Sequence, residues 1–383
     1  MTTKPNDLRI ALIGQAFMGK AHSNAWGQAG RFFDLPAKIR MQTICGRDED
    51  QLVPFAERWG WENCTTDWRE IVTNADIDFV DIGTPNDLHA EMSIAMLEAG
   101  KHVACEKPLA GMLEDARAMR DAARASDAKT FVWFNYRRCP AIALAYKWIR
   151  EGRLGRVYHV RARYLQSWGG PDTPMLWRFQ SERAGSGAHG DLNAHMIDLT
   201  RFLLGEEVAE VNGAIAKTFV TERTNPDGTK STSDVDDCAM FLATMSGGAT
   251  ASVEATRLAA GHLNDNAIEI NGELGSLRFS FDDMNALEVH EAPLGDLSGG
   301  WKRIVATSAK DHAYIAGYWP EGHWIGYEHG FISQAADIVR VLGGEAPELP
   351  LPDFEDAYET QRVLEAALVS ARERCAIPLS QIL

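Results

Sequence analysis

Two side chains with complementary proton chemistry stand four residues apart near the middle of the chain. They are Asp191 and His195, within Ala184-Gly185-Ser186-Gly187-Ala188-His189-Gly190-Asp191-Leu192-Asn193-Ala194-His195. The glycine-rich start reads as a loop, and the pattern that follows reads as a helix running to Leu204 and stopped at Gly205. On a helix, residues i and i+4 share a face, so carboxylate and imidazole can converge on one ligand. An imidazole titrates near neutral pH, which suits removal of a proton from a hydroxyl. A helix-capping Asp beside an unrelated core His is the alternative, and these residues alone leave it open. His189, Asp191 and His195 also have metal-ligand types, but an i, i+2, i+6 spacing does not place all three on one helical face, and no second cluster completes a site. The spacing argues against a metal.

A second chemistry-bearing stretch opens the chain. The apolar run Leu8–Ile13 leads into Gly14-Gln15-Ala16-Phe17-Met18-Gly19 and then a helical pattern, giving G-x-A-x-x-G at a strand-to-helix turn. Gly14 permits the tight turn, Gly19 permits close helix packing, and the helix N-terminus offers free N–H groups to a pyrophosphate. Ala16 narrows that approach by one methyl. The next strand ends in Cys45-Gly46-Arg47-Asp48, so Gly46 stands where a carboxylate for a free ribose 2′-hydroxyl is expected. Arg47 could accept a 2′-phosphate or stack on adenine, and Asp48 could be a displaced ribose ligand or the cap of the next helix. The choice between NAD(H) and NADP(H) stays open on these residues.

The elements that must position these groups follow two rhythms. Up to about residue 134, short apolar runs (Leu8–Ile13, Ile39–Ile44, Phe79–Ile82, His102–Cys105, Thr130–Phe134) alternate with helical patterns, as in βαβ units. Beyond it, a helix at Ala141–Glu151 precedes strand-like segments from Arg156–Tyr164 to Ala286–Glu291, with turn signals at Ser246-Gly247-Gly248 and Asn271-Gly272. The expected fold is α/β: a Rossmann-type, doubly wound parallel sheet in residues 1–134, then an α+β domain in residues 135–383 with a large, mostly antiparallel open sheet. Phe219–Asp234 is polar and reads as a loop excursion.

Composition narrows the function classes. A chain of 383 residues with 45% hydrophobic and 24% charged residues is long enough for two cores and unlike a disordered chain. Its net charge of −16, with no basic patch, disfavours nucleic acid. The six cysteines form no C-x-x-C pair, which suits a reducing cytoplasm, and the N-terminal residues 1–7 are polar with no signal-like region. No 18-residue apolar stretch occurs, so no membrane partner is expected.

Two further segments sit at strand ends: Gly83-Thr84-Pro85-Asn86-Asp87-Leu88-His89 and Cys105-Glu106-Lys107-Pro108. With Glu98-Ala99-Gly100-Lys101-His102-Val103 between them, this pattern resembles the signature of the glucose-fructose oxidoreductase, inositol dehydrogenase and rhizopine-catabolism (Gfo/Idh/MocA) family. The resemblance extends over nearly the whole chain through the motif at Gly187–Asp198. Phe134-Asn135-Tyr136-Arg137-Arg138 is most similar to the levoglucosan dehydrogenase-like and inositol dehydrogenase-like members.

The resemblance implies a nicotinamide-dependent oxidoreductase acting on a secondary hydroxyl or ketone of a sugar, anhydrosugar or cyclitol. Lys107 inherits the family's lysine beside the reacting hydroxyl, where an ammonium stabilises a developing alkoxide. His195 inherits the acid–base role, and Asp191 binds a neighbouring hydroxyl. Cofactor contacts are expected from the turn Gly14, Gln15, Ala16, Phe17, Met18 and Gly19, and from Arg47. Further cofactor contacts fall on Thr84, Pro85, Asn86, His89, Glu106 and Lys107, and on Asn135, Trp177 and Arg178. Substrate contacts are expected from Tyr136, Gln166, Trp168, Asn193 and His323, besides Lys107, Asp191 and His195. Flat aromatics mixed with polar groups suit a neutral polyol, whose C–H faces stack while its hydroxyls bond. The resemblance also implies a homodimer or homotetramer formed through the open sheet face. Two rival functions remain at this level: redox-assisted glycoside cleavage through a 3-keto intermediate, and a cofactor-binding sensor without turnover.

Overall fold

The computed structural model describes residues 7–296, 298–310 and 312–383; most of the polar N-terminal stretch lies outside them. The first sheet has six parallel strands, β1 (Asp7–Ile13), β2 (Lys38–Cys45), β3 (Asn63–Thr65), β4 (Phe79–Ile82), β5 (His102–Cys105) and β6 (Thr130–Val132), in the order β3-β2-β1-β4-β5-β6. This is the doubly wound arrangement, and it puts the carboxyl ends of β1 and β4 side by side at the switch point where such sheets bind ligands. β4 is buried along its whole length, as expected of a strand covered on both faces. The three-residue β3 was not visible as an apolar run.

The second sheet has nine strands. In chain order they are β7 (Val157–Leu165), β8 (Val208–Lys217), β11 (Cys238–Met245), β12 (Thr250–Thr256), β13 (Asp265–Gly272), β14 (Ser276–Ser280), β15 (Ala286–His290), β16 (Trp301–Val305) and β17 (Ile377–Pro378), while β9 (Glu222–Thr224) and β10 (Lys230–Thr232) form a separate hairpin. The order β16-β15-β14-β13-β7-β12-β11-β8-β17 is antiparallel except at its centre, where β7 and β12 run parallel. Alternation is clean in β11, whose residues are buried on one side and open on the other. The polar stretch Phe219–Asp234 therefore contains a hairpin within the expected excursion.

Two long C-terminal helices, Tyr327–Leu342 and Phe354–Glu373, complete the molecule. The first crosses back and packs along the helix Phe17–Phe32 after the glycine turn, so apolar residues of both segments share one cluster. Gln334 Nε2 donates to the Val132 carbonyl at 2.7 Å, tying that helix to β6 as well. Among the described residues, no helix is long and apolar enough to cross a membrane.

Candidate active site

The segment carrying the acid–base pair is pinned before it becomes helical. The Asp236 carboxylate accepts from the amides of Gly187 and His189, both at 2.7 Å. A Cβ at Gly187 would lie 1.8 Å from the Asp236 carbonyl oxygen, so only glycine allows this approach. A π-helical turn, His189–Asn193, then passes into the α-helix Ala194–Leu204, which ends at a left-handed Gly205. π-turns of this kind recur at functional sites because they re-aim side chains.

Asp191 is held by two cations. Lys107, just beyond β5, donates from Nζ to Asp191 Oδ1 at 2.9 Å and to the Asp191 carbonyl at 3.0 Å. Arg257, just beyond β12, donates from Nη2 to Asp191 Oδ2 at 2.9 Å. Burial alone would raise the Asp191 pKa, but Lys107, Arg257 and Arg178 together hold it well below the usual carboxylate range. An ammonium has three donors, and two of Lys107's are spent on Asp191, leaving one for a ligand. The cluster of Lys107, Arg257 and Asp191 carries a net positive charge, the sign needed where an alkoxide develops.

His195 makes no side-chain hydrogen bond among the described residues. Its ring is packed edge-on by Tyr136 at 4.6 Å and Phe134 at 6.0 Å, which orient it without consuming its nitrogens. Burial, then the nearby Lys107 charge, keep its pKa well below the ordinary histidine value, with Asp191 opposing. The imidazole is neutral at physiological pH and ready to accept a proton.

Lys107, Asp191, His195 and Tyr136 line one cavity of about 630 Å³. Its far wall is a chain of neutral hydrogen bonds. Trp168 Nε1 donates to Gln166 Oε1 at 2.6 Å, Gln166 Nε2 to Asn264 Oδ1 at 2.7 Å, and Tyr164 OH to Asn264 Oδ1 at 2.8 Å, while the Tyr136 and Tyr164 hydroxyls lie 2.7 Å apart. Since the Tyr164 proton goes to Asn264, Tyr136 must donate to Tyr164, and its remaining lone pairs can only accept.

Beside this cavity lies a smaller one reached by Met18, Thr84, Asn86, Glu106, Trp177 and Arg178. The glycine turn borders it, and its residues fit a dinucleotide. A Cβ at Gly14, whose φ is +122°, would lie 2.5 Å from the Gly83 carbonyl oxygen, and one at Gly19 would lie 2.3 Å from that of Gly14. Gln15 Oε1 and Thr84 Oγ1 are buried without a hydrogen-bond partner, as expected of groups that a ligand completes. Phe17 is 63% exposed at the mouth and faces Tyr327 in a stacked pair. Asn135 lines the large cavity.

Residues 8–134 match the model of the oxidoreductase family with an NAD-binding Rossmann fold, and residues 142–278 match that of the GFO/IDH/MocA C-terminal domain. The chain belongs to the GFO/IDH/MocA oxidoreductase family. Within that family it is 40% identical to the levoglucosan dehydrogenase of Pseudarthrobacter phenanthrenivorans, over 98% of this chain and 99% of that one. Among solved structures, an oxidoreductase domain protein from Kribbella flavida superposes with a TM-score of 0.92 at 47% identity, covering 98% of this chain and 99% of that one. A levoglucosan dehydrogenase in complex with NADH and L-sorbose superposes with a TM-score of 0.92 at 40% identity, with the same two coverages.

As in the GFO/IDH/MocA family generally, hydride acceptance or donation is the chemistry a bound nicotinamide supplies. Chemically, Lys107 and the Asp191 carboxylate can bind hydroxyls, and a neutral His195 nitrogen can take a proton. Several residues singled out from sequence lie elsewhere or are bound to the protein itself. Asn193 is fully buried, donating to the Ala239 carbonyl at 3.2 Å, and does not reach the cavity. His189 donates from Nε2 to the Leu364 carbonyl at 3.0 Å, so it braces the helix Phe354–Glu373. His323 is exposed, beside the Pro320 carbonyl, and lines neither cavity. His89 is wedged between the carbonyls of Thr84 and of Pro108 and Leu109, behind the site, so it fastens the two strand-end loops to each other. Asn86 Nδ2 donates to the Ala184 carbonyl, joining the first of those loops to the second lobe. Asp48 caps the helix Glu49–Trp59 through the Gln51 amide, while Arg47 is exposed with no ion pair among the described residues. Tyr164, Asn264, Phe281, Tyr327 and Phe331 line the cavity without having been singled out, and Arg257 proves to be the second cation on Asp191.

Proposed function

We propose that this chain is a dehydrogenase that moves a hydride between a nicotinamide cofactor and a secondary carbinol of a neutral sugar, with anhydrosugars of the levoglucosan kind as the first candidates. The observation that carries the reading is the constellation of Lys107, Asp191 and Arg257 beside a His195 whose nitrogens are uncommitted. It supplies a cationic site for the oxygen and a neutral base for its proton, with Lys107, Asp191 and His195 lining one cavity and Arg257 holding Asp191 from the smaller cavity beside it. The wall of Tyr136, Gln166 and Trp168 is neutral, which suits a polyol rather than an anion. NAD(H) is the favoured cofactor, since no cation besides the exposed Arg47 stands at the end of β2 to take a 2′-phosphate.

The test is a panel of anhydrosugars, aldoses and inositols, each with NAD and NADP, read as reduced-nicotinamide absorbance. Stoichiometric reduction with a neutral polyol is expected; dinucleotide binding with no reduction by any of them sinks the reading. Cleavage with no net reduction would favour the glycoside-cleavage rival. The open face of the nine-stranded sheet, where exposed Ile215, Met240 and Leu242 are flanked by the Arg161–Glu269 and Arg278–Glu288 pairs, is read as the contact between copies of the chain. Light scattering should give a dimer or tetramer. Six unpaired cysteines fit a cytoplasmic setting.

A further inference from the structure

Below the junction of the two cavities, three ionisable side chains from three elements form a closed bridge. His22 comes from the helix Phe17–Phe32, Asp81 from β4 and Glu106 from the end of β5. His22 Nδ1 lies 3.0 Å from Asp81 Oδ2, and Nε2 lies 3.1 Å from Glu106 Oε1. Asp81 also accepts from Trp26 Nε1 at 2.7 Å and Trp133 Nε1 at 2.8 Å, and the His22 ring lies against Trp133 with centroids 4.4 Å apart. Glu106 turns its other oxygen to the Lys107 amide at 3.1 Å and borders both cavities. All three side chains are buried. An ionised carboxylate only accepts, so an imidazole held between two of them carries both protons, in keeping with the raised pKa that Asp81 and Glu106 give His22. The triad then has one positive and two negative charges, a net negative charge facing the site. The Lys107, Arg257 and Asp191 cluster across the cavity has the opposite sign.

We propose that His22 is a positioning residue which holds the Glu106 carboxylate fixed where it borders both cavities, biasing the protein toward the oxidised, positively charged cofactor. This rests on the NAD-dependent reading above. His22 itself touches no ligand; it acts through Glu106. Without the imidazolium, the Glu106 carboxylate loses the partner that fixes it and turns away, which weakens the negative field that distinguishes NAD⁺ from NADH. His22→Gln leaves Asp81 with its two tryptophan donors, so its buried charge stays bonded.

The test measures dissociation constants for NAD⁺ and NADH by calorimetry on wild type, H22Q, E106Q and the double variant. The ratio Kd(NAD⁺)/Kd(NADH) should rise by about tenfold in each single variant, the scale of removing one partly screened charge, and no further in the double. An unchanged ratio in H22Q overturns the proposal, as does a His22 effect that persists undiminished in the E106Q background. Nitrogen NMR of the wild-type imidazoles at neutral pH gives a check that needs no variant: His22 should show both ring nitrogens protonated, and a single protonated nitrogen overturns the proposal. If wild type binds both dinucleotides but oxidises no polyol, the substrate reading fails while the affinity ratio still decides the role of His22.

Discussion

The two ends of the cleft are finished to different degrees. At the dinucleotide end, Gln15 Oε1 and Thr84 Oγ1 are buried without partners and Arg47 reaches into solvent. At the catalytic end nearly every polar group is committed: both Asp191 oxygens, two of three Lys107 protons, and the chain from Tyr136 to Trp168. Among the described residues, the His195 nitrogens and one ammonium proton are left over. The first end is completed by its ligand, whereas the second is organised in advance, as expected where reorganisation during the reaction would raise the barrier.

Substitutions at the two ends should therefore separate binding from turnover. Lys107→Ala and His195→Ala should each lower kcat by roughly 10³- to 10⁴-fold while leaving the cofactor Kd within about threefold; wild-type turnover in either variant would break the comparison. Asp236→Ala removes the acceptor of two loop amides without touching the cavity. It should lower kcat by about 10- to 100-fold, again with little change in cofactor affinity, because a small displacement of Asp191 and His195 is felt in the reacting geometry. Arg47→Ala should do the reverse, leaving kcat intact and weakening NADP(H) by about tenfold with NAD(H) nearly unchanged; equal weakening of both would show that Arg47 stacks on the adenine.

The smallest effect is on stability. Burial alone would lower the His22 pKa, but the charges of Asp81 and Glu106 outweigh it and raise it from 6.5 to about 9. A group raised in the folded state contributes stability that is fully present below its unfolded value and lost as pH climbs through the folded one. The difference in Tm between wild type and H22Q should thus be largest below pH 6.5 and shrink on approach to pH 9; a gap that widens with pH would reverse the assignment.

What could be read from sequence was whatever a short spacing encodes. The four-residue step from Asp191 to His195, the glycine turn and the strand-end position of Lys107 are local, and each is near the cavity. Strand identities in the second sheet were legible for the same reason, except for β16 and the two-residue β17, which pair at the edges. Partnerships across long stretches of chain were not legible: Arg257 on Asp191, Asp236 on the Gly187 loop, His22 between Asp81 and Glu106. Asn193 and His89 show the converse failure. Each stands in a motif that points at ligand, yet the Asn193 amide nitrogen and the His89 ring are taken up by backbone carbonyls in the interior.

The helix Tyr327–Leu342 gives the chain an order of assembly. It covers the helix after the glycine turn, brings Tyr327 to Phe17 and bonds β6 through Gln334. During synthesis the first 134 residues emerge long before this cover exists, so the nascent nucleotide lobe displays apolar surface that its own sequence cannot bury. A cleft competent for cofactor can close only once residues beyond 342 have left the ribosome. Premature termination anywhere before that helix should therefore give an aggregating species rather than a smaller dinucleotide-binding protein.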